Sequence, residues 1–222
     1  MSESSTAATD VSTVVVAIDG PAGAGKSTVG RAVAARLGLQ YLDTGAMYRA
    51  VTFAALRRGI DPTDETDVAS LAAAIEMTLD GTAVIVDGVD ATVEIRGREV
   101  TAAVSAVAAN SRVRAELVRR QRSWVAEHGG GVVEGRDIGS VVFPDATLKL
   151  YVTASPRVRA ERRVAEIGGN VDDVEASIIE RDRKDSTRAD SPLMESSGAI
   201  VVDTTGSSVD EVVDHVLGLM PA

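Results

Sequence analysis

The segment Gly20-Pro21-Ala22-Gly23-Ala24-Gly25-Lys26-Ser27 fits the pattern G-x-x-x-x-G-K-[ST], a spacing suited to gripping a polyphosphate. Small residues leave successive backbone N–H groups free to wrap a phosphate, and the positive end of a following helix adds attraction. Lys26 can reach the β- and γ-phosphates of a nucleoside triphosphate, and the Ser27 hydroxyl is placed to ligate Mg2+. The context agrees. The β-branched run at 14–18 reads as a buried strand ahead of the loop, and 27–37 reads as a helix after it, closed by Gly38.

Three further groupings bear on what receives the phosphoryl group. Arg49 falls in the first turn of a helix predicted at 45–58, behind Asp43-Thr44-Gly45, where an anion would also meet the helix N-terminus. Glu134-Gly135-Arg136-Asp137 follows an apolar strand at 131–133, so Arg136 and Asp137 fall at a strand's carboxyl end, where open α/β sheets bind ligands. Arg181, Asp185 and Arg188, spaced i, i+4, i+7, share one helical face. Arg157, Arg159, Arg162 and Arg163 crowd the start of the preceding helix, where cations oppose the helix dipole, and an anion nearby would relieve them. The segment 157–188 reads as an arginine-bearing lid over the phosphates.

Transfer to a hydroxyl wants a carboxylate or histidine to take its proton, whereas a phosphate acceptor is already an anion and needs charge neutralisation and in-line positioning. Many arginines and no obvious dedicated base favour a phosphate acceptor. Asp43 or Asp137 could serve as a base for an alcohol, so a shikimate-type alcohol kinase and a non-catalytic nucleotide-gated regulator stay open.

Composition narrows the field. The 222 residues carry a net charge of −10, which argues against sequence-independent nucleic-acid binding. Of 23 basic residues only Lys26, Lys149 and Lys184 are lysines, so 20 are arginines, whose planar fork suits phosphate. Cysteine is absent and histidine is limited to His128 and His215, which removes thiolate and histidine-rich metal chemistry. No apolar run approaches the ~20 residues of a membrane helix, and the N-terminus lacks the features of a secretory signal. The cytoplasm is the expected compartment.

The elements that must position these residues alternate. Helices are predicted at 65–76, 99–109, 112–127, from Ser155-Pro156, at 172–187 and from Ser208, whose Glu211 completes a capping box. Strands are predicted at 131–134, 148–152 and 199–203. This is an α/β chain with a parallel sheet covered on both faces. Strands at 83–86 and 91–95, joined through Asp87-Gly88, read as an antiparallel hairpin in a small inserted subdomain. Trp124 and the 213–219 stretch read as packing.

The runs 18–28, 42–49 and 134–146, in order and together, resemble the bacterial cytidylate kinase family among the P-loop nucleoside monophosphate kinases. Glu180-Arg181-Asp182 and Arg188-Ala189 extend the likeness, which runs from about Val14 to the C-terminus. The resemblance implies ATP-dependent phosphorylation of CMP and dCMP with Mg2+, by a monomer that binds neither nucleic acid nor membrane. Residues 1–12, small and polar, read as a disordered tail without a counterpart in the family, and the resemblance implies one kinase domain at 13–222: core 13–43, 107–155 and 190–222, an NMP-binding part with insert at about 44–106, and a lid at about 156–189. Residues 20–28, Thr28 included, would hold ATP, with Lys26 stabilising the transferring phosphoryl and Arg162 against the adenine. Arg49 and Arg136 would take the CMP phosphate. Thr44, Arg114, Asp137 and Arg188 would surround the cytosine, and Ser105, Arg181 and Asp185 the sugar. In this family threonine is usual where Ser140 stands, and some members carry arginine in place of Ser186.

Overall fold

The computed structural model describes residues 13–187 and 190–221; the expected tail at 1–12 and Arg188 lie outside the described residues. The chain runs β1 (Val14–Asp19), α1 (Lys26–Leu37), β2 (Tyr41–Asp43), α2 (Thr44–Arg57), α3 (Glu65–Ala74), β3 (Met77–Asp80), β4 (Ala83–Val86) and β5 (Val89–Asp90). It continues through α4 (Arg98–Ala109), α5 (Ser111–His128), β6 (Gly130–Glu134), β7 (Leu148–Thr153), α6 (Pro156–Ile167), α7 (Val171–Thr187), β8 (Ile200–Asp203) and α8 (Val209–Gly218).

Five strands form a parallel sheet in the order β2-β6-β1-β7-β8. Side chains of β1 alternate between two cores. Val15 and Ala17 pack with Met47 and Val51 of α2 and Leu117 and Val125 of α5. Val16 and Ile18 pack with Val29 and Val33 of α1 and Val212 and Val216 of α8. Burial on both faces is why these strands read as continuous apolar runs, and the expected α/β class holds. Trp124 lies against the first core and stacks on His128, and Val213 and Val216 are buried in the second, as the packing reading expects. The capping box at Ser208 and Glu211 forms as read. Among the described residues no helix is long and apolar enough to cross a membrane.

The inserted sheet differs from its expected form. The Asp87-Gly88 turn is present, with φ of 49° and 76°, the two positive values a tight hairpin turn requires. Pairing ends at β5, however, and 91–95 is no strand: Ala91 and Ile95 are fully buried, and a 3-10 turn occupies Glu94–Arg96. A third strand, β3, pairs with β4 where the sequence suggested the end of a helix at 65–76. The four residues Met77-Thr78-Leu79-Asp80 alternate half-buried and exposed, a period too short to stand out beside the helical run before it. Strand β2 is only three residues long and was not legible for the same reason.

Candidate active site

The site is built at the carboxyl ends of β1, β6 and β2. After Asp19 the chain swings through Gly20 at φ 145°, where any side chain would run into the Val152 carbonyl of β7. Helix α1 starts behind Gly25, which is left-handed (φ 90°) and offers no capping side chain, so its first N–H groups are left to an anion. Lys26 Nζ donates to the Pro21 carbonyl at 2.9 Å. Ser27 Oγ donates to Glu134 Oε1 at 2.7 Å, while Glu134 Oε2 is buried without a hydrogen bond of its own. Burial, helped by the charge of Asp43, pushes the Glu134 carboxyl above the usual carboxylate range. A hydroxyl beside a carboxylate with an open oxygen suits Mg2+, a hard cation that takes oxygen ligands and keeps waters. Among the described residues no cluster of three or more His, Asp or Glu forms a self-sufficient metal cage, so such an ion would depend on phosphate oxygens as well.

Three arginines gather across from the loop and its Lys26. Arg49 projects from α2 and donates through Nη1 to the Ile95 carbonyl and to Thr101 Oγ1, both at 2.9 Å. Arg136 follows β6 and bonds Asp185 Oδ2 of α7 through Nε at 2.9 Å and the Gly20 carbonyl through Nη1. The Nε of Arg181 on α7 is buried without a partner. Their electrostatics show the crowding. Burial, then the charge of Arg136, pushes Lys26 down to about 8. Burial, then Arg181, pushes Arg49 down to about 10. Arg181 is lowered by burial and then by Arg136. Cations that depress one another in this way are relieved when an anion arrives.

Arg114 and Asp137, from α5 and the turn after β6, form a buried ion pair, with the Arg114 guanidinium 5.7 Å from the Tyr48 ring centroid. Thr44 Oγ1 donates to the Glu134 carbonyl at 2.7 Å, which ties the start of α2 to the end of β6. Ser105 is half-buried on α4, one helical turn beyond Thr101 and so on the face that holds Arg49. Asp43 caps α2 by accepting from the Ala46 N–H at 3.0 Å, with Arg96 3.8 Å away. Neither aspartate that could have acted as a base stands free: each is engaged with a cap or a guanidinium.

The arginines at the start of α6 are matched by protein groups. Arg157 pairs with Asp172 at 2.5 Å and Glu175 at 3.1 Å, and Arg163 with Glu166 at 3.1 Å. Arg162 donates to Thr204 Oγ1 at 3.0 Å and to the Thr204 carbonyl at 2.7 Å, while Thr204 Oγ1 also donates to Ala24 of the loop at 3.0 Å. Carbonyls and the carboxylates of α6 and α7 therefore answer the unfavourable helix-dipole placement, in addition to any nucleotide.

The structural roles of Asp19, Arg159, Asp182 and Thr204 escaped the sequence reading. Asp19 accepts from Ile138 and Gly139 N–H at 2.7 and 2.8 Å, fixing the turn that carries Arg136 and Asp137. Burial raises its carboxyl to about 6. The signal that could have found it is an acidic residue ending the buried strand before the loop, since a carboxylate there must have partners.

The chain that carries this site is similar to known proteins over most of its length. A family model described as cytidylate kinase matches residues 16–222. The cytidylate kinase of Corynebacterium efficiens is 47% identical over 218 residues, covering 94% of this chain and 95% of that protein. That of Mycobacterium avium is 50% identical over 216 residues, covering 93% of this chain and 95% of its own. Among solved structures, a gluconokinase from Sinorhizobium meliloti superposes with a TM-score of 0.51 at 15% identity, covering 93% of this chain and 91% of that one. This last likeness is one of fold. A family model spanning nearly the whole chain, together with relatives at about half identity, identifies the chain as a member of the cytidylate kinase family.

Proposed function

We propose that the protein transfers the γ-phosphoryl group of ATP to CMP and dCMP, giving ADP and the diphosphates, in pyrimidine nucleotide metabolism. The observation that carries this reading is the gathering of Arg49, Arg136 and Arg181 opposite Lys26 of the phosphate loop, with Asp43 and Asp137 both engaged by other groups. Such an arrangement neutralises two facing anions and leaves neither Asp43 nor Asp137 ready to take a hydroxyl proton.

In this reading residues 20–28 cradle the ATP phosphates through backbone N–H groups, and Arg162 with Thr204 borders the adenine. Lys26 gives up the Pro21 carbonyl to follow the transferring phosphoryl. Ser27, oriented by Glu134, would hold Mg2+, which supplies charge neutralisation to the phosphate oxygens. Arg49 and Arg136 take the acceptor phosphate, and Arg136 releases Gly20 and Asp185 to do so. Asp185 is then free for the sugar beside Ser105 and Arg181. Asp137, backed by Arg114, accepts from the cytosine amino group, while a uracil carbonyl at that place would face the carboxylate unfavourably. Arg188 belongs to the same proposal through the resemblance alone. The segments 44–106 and 156–189 are read as the acceptor-binding part and the lid.

A coupled assay for ADP across CMP, dCMP, UMP, AMP and shikimate tests the proposal. Turnover is expected with CMP and dCMP, and turnover with shikimate but no pyrimidine nucleotide would sink it. Asp137→Ala is expected to weaken CMP use more than UMP use; equal losses would remove Asp137 from base recognition.

A further inference from the structure

We infer that Arg159 is a positioning strut that ties the filling of the phosphate loop to the setting of α7, and so to the acceptor side of the cleft. Arg159 is only 4% exposed, and all three guanidinium nitrogens have partners. Its Nε donates to the Ala154 carbonyl beyond β7 at 2.9 Å, and its Nη1 to the Ala22 carbonyl of the loop at 3.1 Å. Its Nη2 lies 2.7 Å from Asp182 Oδ2 on α7. One rigid, planar group thus joins loop, strand end and lid helix. The loop also lies against α6 itself, for a side-chain carbon at Gly23 would sit 3.2 Å from Arg159 Cβ.

The placement suits coupling rather than competition. A phosphate loop turns its N–H groups toward the anion, so a bond to an Ala22 carbonyl leaves that donor surface open. Arg136 also bridges loop and α7, between Gly20 and Asp185, but the proposed function spends it on the acceptor phosphate, so that bridge must open. The Arg159 bridge has no such second duty. Asp182 directly follows Arg181 and precedes Asp185 by three residues, so whatever steadies Asp182 steadies both. A loop stiffened by phosphates would then hold α7 in one setting, and the acceptor would find its ligands already ordered. By reciprocity the acceptor would tighten the donor equally.

This inference rests on the proposed donor and acceptor sides, and its test separates the two. CMP binding to the full-length protein is measured by calorimetry with and without a saturating non-hydrolysable Mg2+–ATP analogue, for wild type, Asp182→Asn and Arg159→Lys. Wild type is expected to bind CMP about tenfold tighter with the analogue, and each variant less than about twofold tighter. Affinity for CMP alone should stay within about threefold, because neither residue touches the proposed acceptor site. A merely structural ion pair would lower the melting temperature and leave the coupling intact. In wild type, amide exchange across 171–187 is expected to slow when the analogue alone is added. Unchanged exchange there, no tightening in wild type, or wild-type coupling in both variants overturns the strut. Failure of wild type to bind CMP at all would instead overturn the proposed function, and the exchange measurement would still decide the strut. Should one variant not fold, the other and the wild-type exchange carry the test.

Discussion

On the donor side of the cleft, the anion-binding groups are backbone N–H groups and one lysine, delivered by the eight consecutive residues 20–27 that lead from β1 into the first turn of α1. On the acceptor side they are side chains from α2, α4, α5, the turn after β6 and α7, held by partners such as Asp185, 49 residues from Arg136. Backbone donors keep their place if the strand and helix keep theirs, whereas guanidiniums must be aimed by hydrogen bonds and ion pairs. The donor side is therefore rigid by local geometry, and the acceptor side is assembled by tertiary structure and can be reset.

That contrast makes its strongest demand at Lys26, the long cationic side chain carried by the loop itself. Lys26→Met should lower kcat by roughly a thousandfold or more, because charge placed where the transition state develops it is worth that much. The melting temperature should hardly move, since among the described residues Nζ donates one hydrogen bond, to the Pro21 carbonyl. A loss confined to the KM for ATP would mean that the lysine only binds.

Arg136→Ala is the matching test across the cleft. We expect kcat/KM for CMP to fall about a hundredfold, with the KM for ATP within a few-fold of wild type, if the acceptor side is independently aimed. Equal damage to both substrates would erase the distinction between the two sides, for Arg136 also bonds the Gly20 carbonyl.

Between the sides stands Asp19, on the donor strand but bonded to the acceptor turn at Ile138 and Gly139. Its carboxyl is raised to about 6 by burial, so between its ordinary value of 3.8 and about 6 the folded protein binds more protons than the unfolded chain. This group's contribution to stability is therefore greatest at low pH and is lost as pH rises through 6. Asp19→Asn removes that dependence. The stability of wild type relative to the variant, from urea unfolding, should decline by about 2 kcal/mol between pH 4.5 and 7.5. A constant difference would show that Asp19 stays ionised throughout.

The same contrast decides what could be read from the sequence. Lys26 and Ser27 were legible because their function depends on neighbours within a few residues. Arg49 and Arg136 were legible because strand ends and helix starts are local signals that mark a ligand edge. Arg159 was seen only as one of four arginines at a helix start; that it reaches Ala22, 137 residues away, follows from the order of strands and from no local pattern. Ser105 and Arg114 came from family resemblance, since on their own helices they look like ordinary surface. The short β2 and β3 were lost because three or four residues cannot establish a period.

The smallest effect we expect sharpens the comparison from the donor side. Thr204 hands its hydroxyl hydrogen to Ala24 and receives one from Arg162, so the loop is not held by its own backbone alone. Thr204→Val keeps the shape and removes both bonds, together with the 3.2 Å contact of the same hydroxyl to the Thr153 carbonyl. Two neutral or singly charged hydrogen bonds at this buried threonine are worth about 1 kcal/mol together, which is about fivefold in affinity. The KM for ATP should rise by that factor while kcat and the KM for CMP stay put, because Arg162 borders the donor and no acceptor contact passes through Thr204. If CMP weakens as much as ATP, the donor side is not self-sufficient, and α6 must be counted as part of the machinery that aims both substrates.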